Sequence, residues 1–104
     1  MTAIIFDLDL KTFEARAAEA TRLLKALANE KRLMILCKLI ETGEASVSRL
    51  GEAVNLSQSA LSQHLARMRV EGLVTFRREA QTLFYRIADP NVAALLATLK
   101  SIYC

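Results

Sequence analysis

Three groups of residues in this 104-residue chain are able to do chemistry. The first lies in Ser57–Gly72, SQSALSQHLARMRVEG. Leu61, Leu65 and Met68 stand at i, i+4 and i+7, a narrow apolar stripe at helical spacing. The face left over carries Ser57, Gln58, Ser59, Ser62, Gln63, His64 and Arg67. Short hydroxyl and amide side chains match the hydrogen-bonding edges of bases and the oxygens of phosphates, and only Arg67 among them is formally charged. A helix kept polar for solubility more usually carries Glu and Lys pairs. The pattern suggests a recognition helix for a DNA major groove, with a Ser/Gln-rich surface helix as the plainer alternative. The second group is Arg77, Arg78 and Arg86, with Gln81 between them. On a hairpin beside such a helix they can reach a phosphate backbone or a minor groove. On a hairpin alone they would only keep an edge soluble. The third group is the cysteine pair, Cys37 and Cys104. Thiolates are nucleophiles, redox centres and soft-metal ligands. Cys37 fits equally well as a small buried hydrophobe, and lone cysteines in a reducing compartment are ordinarily silent.

The length allows one domain, spanning 1–104, and not two. The hydrophobic fraction of 53% is high for this size. Such a surplus has to be hidden, and a homodimer interface is the usual place. No apolar run approaches the ~20 residues of a membrane helix. The apolar start, Ala3–Phe6, is broken at once by Asp7 and Asp9, so no signal peptide is visible and a cytoplasmic location is expected. The net charge is +3, and its distribution is uneven. Residues 1–56 carry eight basic and eight acidic side chains, whereas 57–104 carry six basic and three acidic. The whole excess falls in the half that holds the Ser/Gln helix, a modest electrostatic footprint for nucleic acid.

The elements that must position these groups follow in order. Residues 1–10 read as a short strand or an N-terminal arm. Their IIFDLD string resembles the first motif of haloacid-dehalogenase-type phosphatases, with Asp7 and Asp9 as the acidic pair. That chemistry needs a large doubly wound sheet, and no such strands follow, so no catalytic residue and no enzymatic activity are assigned. Thr12–Ala28 is helical, with Phe13, Ala17, Ala20, Leu24 and Leu27 on a seam suited to another helix. Asn29 caps a second helix, Glu30–Thr42, whose apolar residues surround it and predict burial on nearly all sides. Gly43 ends it. Ser46 caps a short third helix to Val54, and Asn55–Leu56 turns into the Ser57 helix, a helix-turn-helix arrangement. Gly72 closes that helix, and Leu73–Arg78 and Leu83–Ala88 form a two-stranded hairpin, the wing. Asp89 caps a last helix with Pro90 at its first position. Its stripe of Val92, Leu95, Leu96, Leu99, Ile102 and Tyr103 must dock on something, the first helix being the natural choice. The expected fold is mainly α with a two-stranded β wing, a winged helix-turn-helix.

In that order the strings ALANEKRLMILCKL (26–39) and LSQSALSQHLARMRVEGLVTFRREAQTLFYRI (56–87) resemble the ArsR/SmtB family of winged-helix repressors. The resemblance runs from about residue 13 to nearly the end. It implies a homodimer joined through the first and last helices, bound to double-stranded operator DNA and released by an inducer. Most such proteins sense metals, and here the sequence departs from the pattern. Ser46 and Ser48 stand where the arsenic- and cadmium-type sites have a Cys-x-Cys pair. The last helix offers no His and only Asp89 as a carboxylate, so the zinc-type site is missing too. No metal ligand and no cofactor are assigned.

The positions of Cys37 and Cys104 resemble the thiol-based branch of the family, the BigR/SqrR- and HlyU-type regulators. That likeness implies a disulfide or polysulfide bridge between the two within one subunit, formed by oxidants or reactive sulfur species, with release of DNA on oxidation. A regulator with inert cysteines, and a metal-responsive repressor with an unforeseen site, are the alternatives.

Overall fold

A computed structural model describes residues 9–104. The arm read over residues 1–10 lies mostly outside the described residues, as does Asp7. Where the structure begins it corrects that boundary. Leu10 already belongs to the first helix, α1 (Leu10–Leu27), and Asp9 is its N-cap. The Asp9 carboxylate accepts from the Thr12 hydroxyl at 2.7 Å and from the backbone N–H groups of Lys11 and Thr12. These bonds, that from the Thr12 hydroxyl first, hold its pKa below the ordinary carboxylate value. Asp9 therefore serves the helix end.

The remaining elements are α2 (Glu30–Thr42), β1 (Ala45–Ser46), α3 (Val47–Val54), α4 (Gln58–Val70), β2 (Val74–Glu79), β3 (Thr82–Ile87) and α5 (Pro90–Tyr103). The expected caps form. Asn29, Ser46 and Ser57 each accept the backbone N–H three residues on, and Asp89 accepts that of Asn91 with Pro90 next in line. Asn55, in the left-handed region at φ 53°, closes α3 two residues before Ser57 caps α4. The turn between the two helices is thus fixed by local capping at both ends.

The core is one cluster. Ile35, Leu36 and Leu39 of α2 meet Leu50 and Val54 of α3, Leu61, Leu65 and Met68 of α4, Val74 of β2 and Val92 and Leu96 of α5. The three α4 residues expected to face inward are fully buried. Burying a Leu or Met side chain is worth roughly 1.5–3 kcal/mol, so this stripe alone orients α4 firmly. Two expectations are corrected. The helix α2 is buried on one side only, because Met34, Cys37 and Ile40 are exposed. The sheet has three strands in the order β1-β3-β2, because β1 pairs with the free edge of β3, Ala45 opposite Tyr85 and Ser46 opposite Phe84. A two-residue strand is too short to leave a period-2 signature.

The last helix meets β3 more than α1, seated by Val92 and Leu96. The radius of gyration is 15.8 Å, against roughly 13 Å for a compact chain of this length. The excess reflects how little of α1 is covered. Of its expected seam Leu27 is buried, Ala17 and Ala20 are half-buried, and Phe13 and Leu24 are exposed, as is Leu10 beside them.

A second tie holds the helices together. Arg32, only 9% exposed, donates from one nitrogen to the Ala26 carbonyl at 3.2 Å and to the Glu71 carboxylate at 3.2 Å. It thereby joins the end of α1, the start of α2 and the C-cap of α4.

Candidate nucleic-acid interface

The residues singled out on α4 divide by the work they do. Ser57 is spent in part on the helix, its Oγ accepting from the Ala60 N–H at 3.1 Å. Gln58, Ser59, Ser62, Gln63 and Arg67 are exposed, and His64 is half-buried. Among the described residues none of these six side chains has a hydrogen bond or ion pair to the rest of the protein. A helix whose inner stripe is fully buried and whose outer face is wholly unused by the fold presents its donors and acceptors to solvent. At 13 residues it has a length suited to lie in a groove.

The wing is built by strand alternation. Val74, Phe76 and Arg78 point to one face of β2, and Thr75, Arg77 and Glu79 to the other. Phe76 packs on Tyr85 with ring centroids 5.4 Å apart, and the Arg69 guanidinium covers the Phe76 ring at 4.4 Å. Arg69 thus ties the end of α4 to the root of the wing, a contact the sequence did not announce. Glu79 is opposite Thr82, which leaves Ala80 and Gln81 as the loop, with Gln81 at the tip as expected.

Arg77 and Arg78 do different things although adjacent. Arg78 is exposed and makes no ion pair among the described residues. Arg77 is engaged on three sides. Its Nε and Nη2 donate to both oxygens of Glu44 at 2.9 and 2.8 Å, its Nη1 donates to Glu79 at 2.7 Å, and its plane stacks on Phe84 at 4.6 Å. The two carboxylates raise the Arg77 pKa, Glu44 contributing most, and Arg77 in turn lowers that of Glu44. Sequence reasoning misses Glu44, because nothing local marks a carboxylate for a partner 33 residues away.

The thiols sit elsewhere. Cys37 and Cys104 are both free and exposed, which removes the reading of Cys37 as a buried hydrophobe. Partial burial pushes the Cys37 thiol above its ordinary value of 9.0, the neighbouring Cys104 pushes it the same way, and Lys100 opposes them. Among the described residues no three His, Cys, Asp or Glu side chains gather into a metal-binding group, and no helix is long and apolar enough to cross a membrane.

The helix-turn-helix, the exposed polar helix and the hairpin beside it define a winged helix-turn-helix protein. Residues 29–75 match the model of the bacterial regulatory proteins of the arsR family. The transcriptional activator HlyU of Vibrio cholerae is 50% identical over 93% of this chain and 89% of its own length. A structure of reduced HlyU from the same species superposes with a TM-score of 0.83 at 50% identity, covering 90% of this chain and 98% of that one. The HlyU structure from Vibrio vulnificus gives 0.84 at 52%, covering 93% and 100%. The transcriptional repressor BigR of Xylella fastidiosa gives 0.87 at 38%, covering 93% and 98%. The chain belongs to the ArsR family of transcriptional regulators, and its relatives are regulators of transcription and not enzymes.

Proposed function

We propose that this protein is a homodimeric operator-binding repressor whose grip on DNA is switched by oxidation or persulfidation of Cys37 and Cys104. The observation that carries the DNA reading is the outer face of α4, exposed and unused by the fold. Gln58, Ser59, Ser62, Gln63, His64 and Arg67 face the groove with Ser57 at the helix start, and Arg77, Arg78 and Gln81 serve the wing. The uncovered apolar residues Leu10, Phe13 and Leu24 of α1 and Ile102 and Tyr103 of α5 support dimerisation through those two helices.

For the switch, the Cys104 thiolate attacks the outer sulfur of a persulfide, or one sulfur of a low-molecular-weight disulfide, and expels a thiolate, leaving a persulfide or a mixed disulfide on Cys104. Cys37, whose thiol pKa burial raises, reacts second: it gives its proton to solvent, and its thiolate attacks the Cys104 sulfur and expels hydrosulfide from the Cys104 persulfide or the second thiolate from the mixed disulfide, closing a Cys37–Cys104 disulfide and leaving the donor reduced. The bridge ties α2 to α5 and alters the spacing of the two recognition helices. Half-sites lie a fixed helical turn apart, so a small change weakens both contacts. A duplex selected by the reduced protein from a random-sequence pool provides the test. Reduced protein should bind it tightly, protein treated with persulfide or disulfide weakly, and mass spectrometry should show Cys37 and Cys104 joined in one subunit by loss of two hydrogens. Equal binding in both states would defeat the switch and leave the DNA reading standing. Failure to select any duplex would defeat the DNA reading. The raised pKa of Cys37 favours a second reading, a regulator with silent cysteines, for which a Cys37→Ser variant responds to the donor as the wild type does.

A further inference from the structure

The engagement of Arg77 by Glu44 supplies no donor to a groove or a phosphate, so its purpose lies elsewhere. Glu44 stands immediately after Gly43, which ends α2 at φ +79°, a conformation that L side chains rarely adopt. That turn delivers the Glu44 carboxylate to Arg77 on the far strand of the sheet. Between them lies β3, whose Phe84 is opposite Ser46 of β1 on one side and Arg77 of β2 on the other. The Arg77 guanidinium spans this width with its plane on the Phe84 ring and its fork on both Glu44 oxygens. A bidentate, stacked arginine held by a second carboxylate is far more ordered than the usual surface ion pair. The wing is also held to the body by the pairing of β3 with β1 and by Val74, Phe76, Leu83, Tyr85 and Ile87, which pack on the core, whereas the Glu44–Arg77 pair reaches past β3 to β2, the strand that β1 does not pair with.

We propose that Glu44 and Arg77 form a clamp that sets the angle of the wing on the body, so that Arg77 is a positioning residue for Arg78 and Gln81 and not itself a phosphate ligand. This rests on the DNA-binding reading above. The clamp fastens the wing to the turn that follows α2, the helix that carries Cys37, and so links the end of α2 to the wing. It also accounts for a basic residue being neutralised on the most basic part of the chain.

The test exploits opposite signs. Glu44→Gln removes a negative charge and frees Arg77. If Arg77 served phosphates, this variant would bind the selected duplex more tightly and with a steeper salt dependence. With a clamp, binding weakens about fivefold, which converts to ~1 kcal/mol, the upper end of what an exposed ion pair supplies. The slope of log K against log salt becomes shallower by about 0.9 for each phosphate the wing no longer reaches. Arg77→Lys keeps the charge but cannot make the fork, and should weaken binding by a similar factor. The double variant should be no weaker than either single one. Far-UV circular dichroism confirms that each variant is folded. Unchanged or tighter binding by Glu44→Gln, wild-type binding by Arg77→Lys, or additive losses in the double variant would each overturn the clamp. So would a lower melting temperature with unchanged affinity and slope. Absence of binding by the wild type would instead defeat the DNA reading on which the clamp rests.

Discussion

Replacing Glu71 by Ala should destabilise the protein well beyond what a surface carboxylate is worth. Arg32 is almost fully buried, and Glu71 is the only carboxylate it meets among the described residues. A hydrogen bond to a charged group contributes about 1.5–3 kcal/mol. The Glu71 side chain is 42% exposed, and solvent screening brings the expected loss to about 1–2 kcal/mol. For a domain of this size each kcal/mol moves the thermal midpoint by roughly 4–8 °C, so a fall of about 5–15 °C is expected. The assay is thermal unfolding followed by far-UV circular dichroism, all variants at one protein concentration because self-association makes a melt concentration-dependent. The cycle is completed with Arg32→Met, which keeps the packed stem and removes the charge. In that background Glu71→Ala should cost no more than about 0.5 kcal/mol, the level of an ordinary surface change. A Glu71→Ala midpoint within about 2 °C of wild type, or an equal loss in both backgrounds, would refute the argument that a stranded buried guanidinium is what destabilises.

The wing loop offers a gain: Ala80 sits at φ 55°, so Ala80→Gly should stabilise by about 0.5–1 kcal/mol, read as a raised urea midpoint at unchanged slope. Because Arg77 depresses the pKa of Glu44 from its ordinary 4.5, the unfolded chain takes up the proton first as pH falls. The stabilisation from the clamp is therefore full above about pH 4.5 and lost as pH drops through the lower folded value. The difference in thermal midpoint between wild type and Glu44→Gln should shrink correspondingly between pH 5 and 3, roughly the window of carboxylate titration, and a constant difference would count against it. Cys37, whose thiol pKa is raised by burial, should be alkylated by iodoacetamide more slowly at pH 7, roughly neutral, than a free cysteine is, with the rate still climbing above pH 9. In the core, Leu61→Ala should cost about 2–5 kcal/mol, enough to lower the melting temperature severely in the same scans.

What the sequence made legible was local. Asn29, Ser46, Ser57 and Asp89 announce helix starts because a cap acts within three residues. The α4 stripe shows itself because burial repeats at the helix period. What escaped was non-local or borrowed. Arg32 reads as one more charge on a helix, and its partner lies 39 residues on. The apolar residues around α2 suggest burial on all sides, yet Met34 and Ile40 are uncovered in the protomer. Hydropathy records that a face is apolar and is silent on what meets it. The strand β1 exists only because β3 has a free edge to offer. The unused outer face of α4 is visible by elimination, while the distinct surroundings of Arg77 and Arg78 require the register of the sheet.

The division of labour on α4 has an evolutionary consequence. Its inner residues Leu61, Leu65 and Met68 belong to the core, whereas the side chains of Gln58, Ser59, Ser62, Gln63 and Arg67 are exposed and make no hydrogen bond or ion pair among the described residues. Exposed positions of this kind typically tolerate replacement within about 0.5 kcal/mol. If these five positions read DNA as proposed, a lineage can drift to new target sequences through them without first accumulating compensating changes inside. The scaffold is inherited and the vocabulary is free to change.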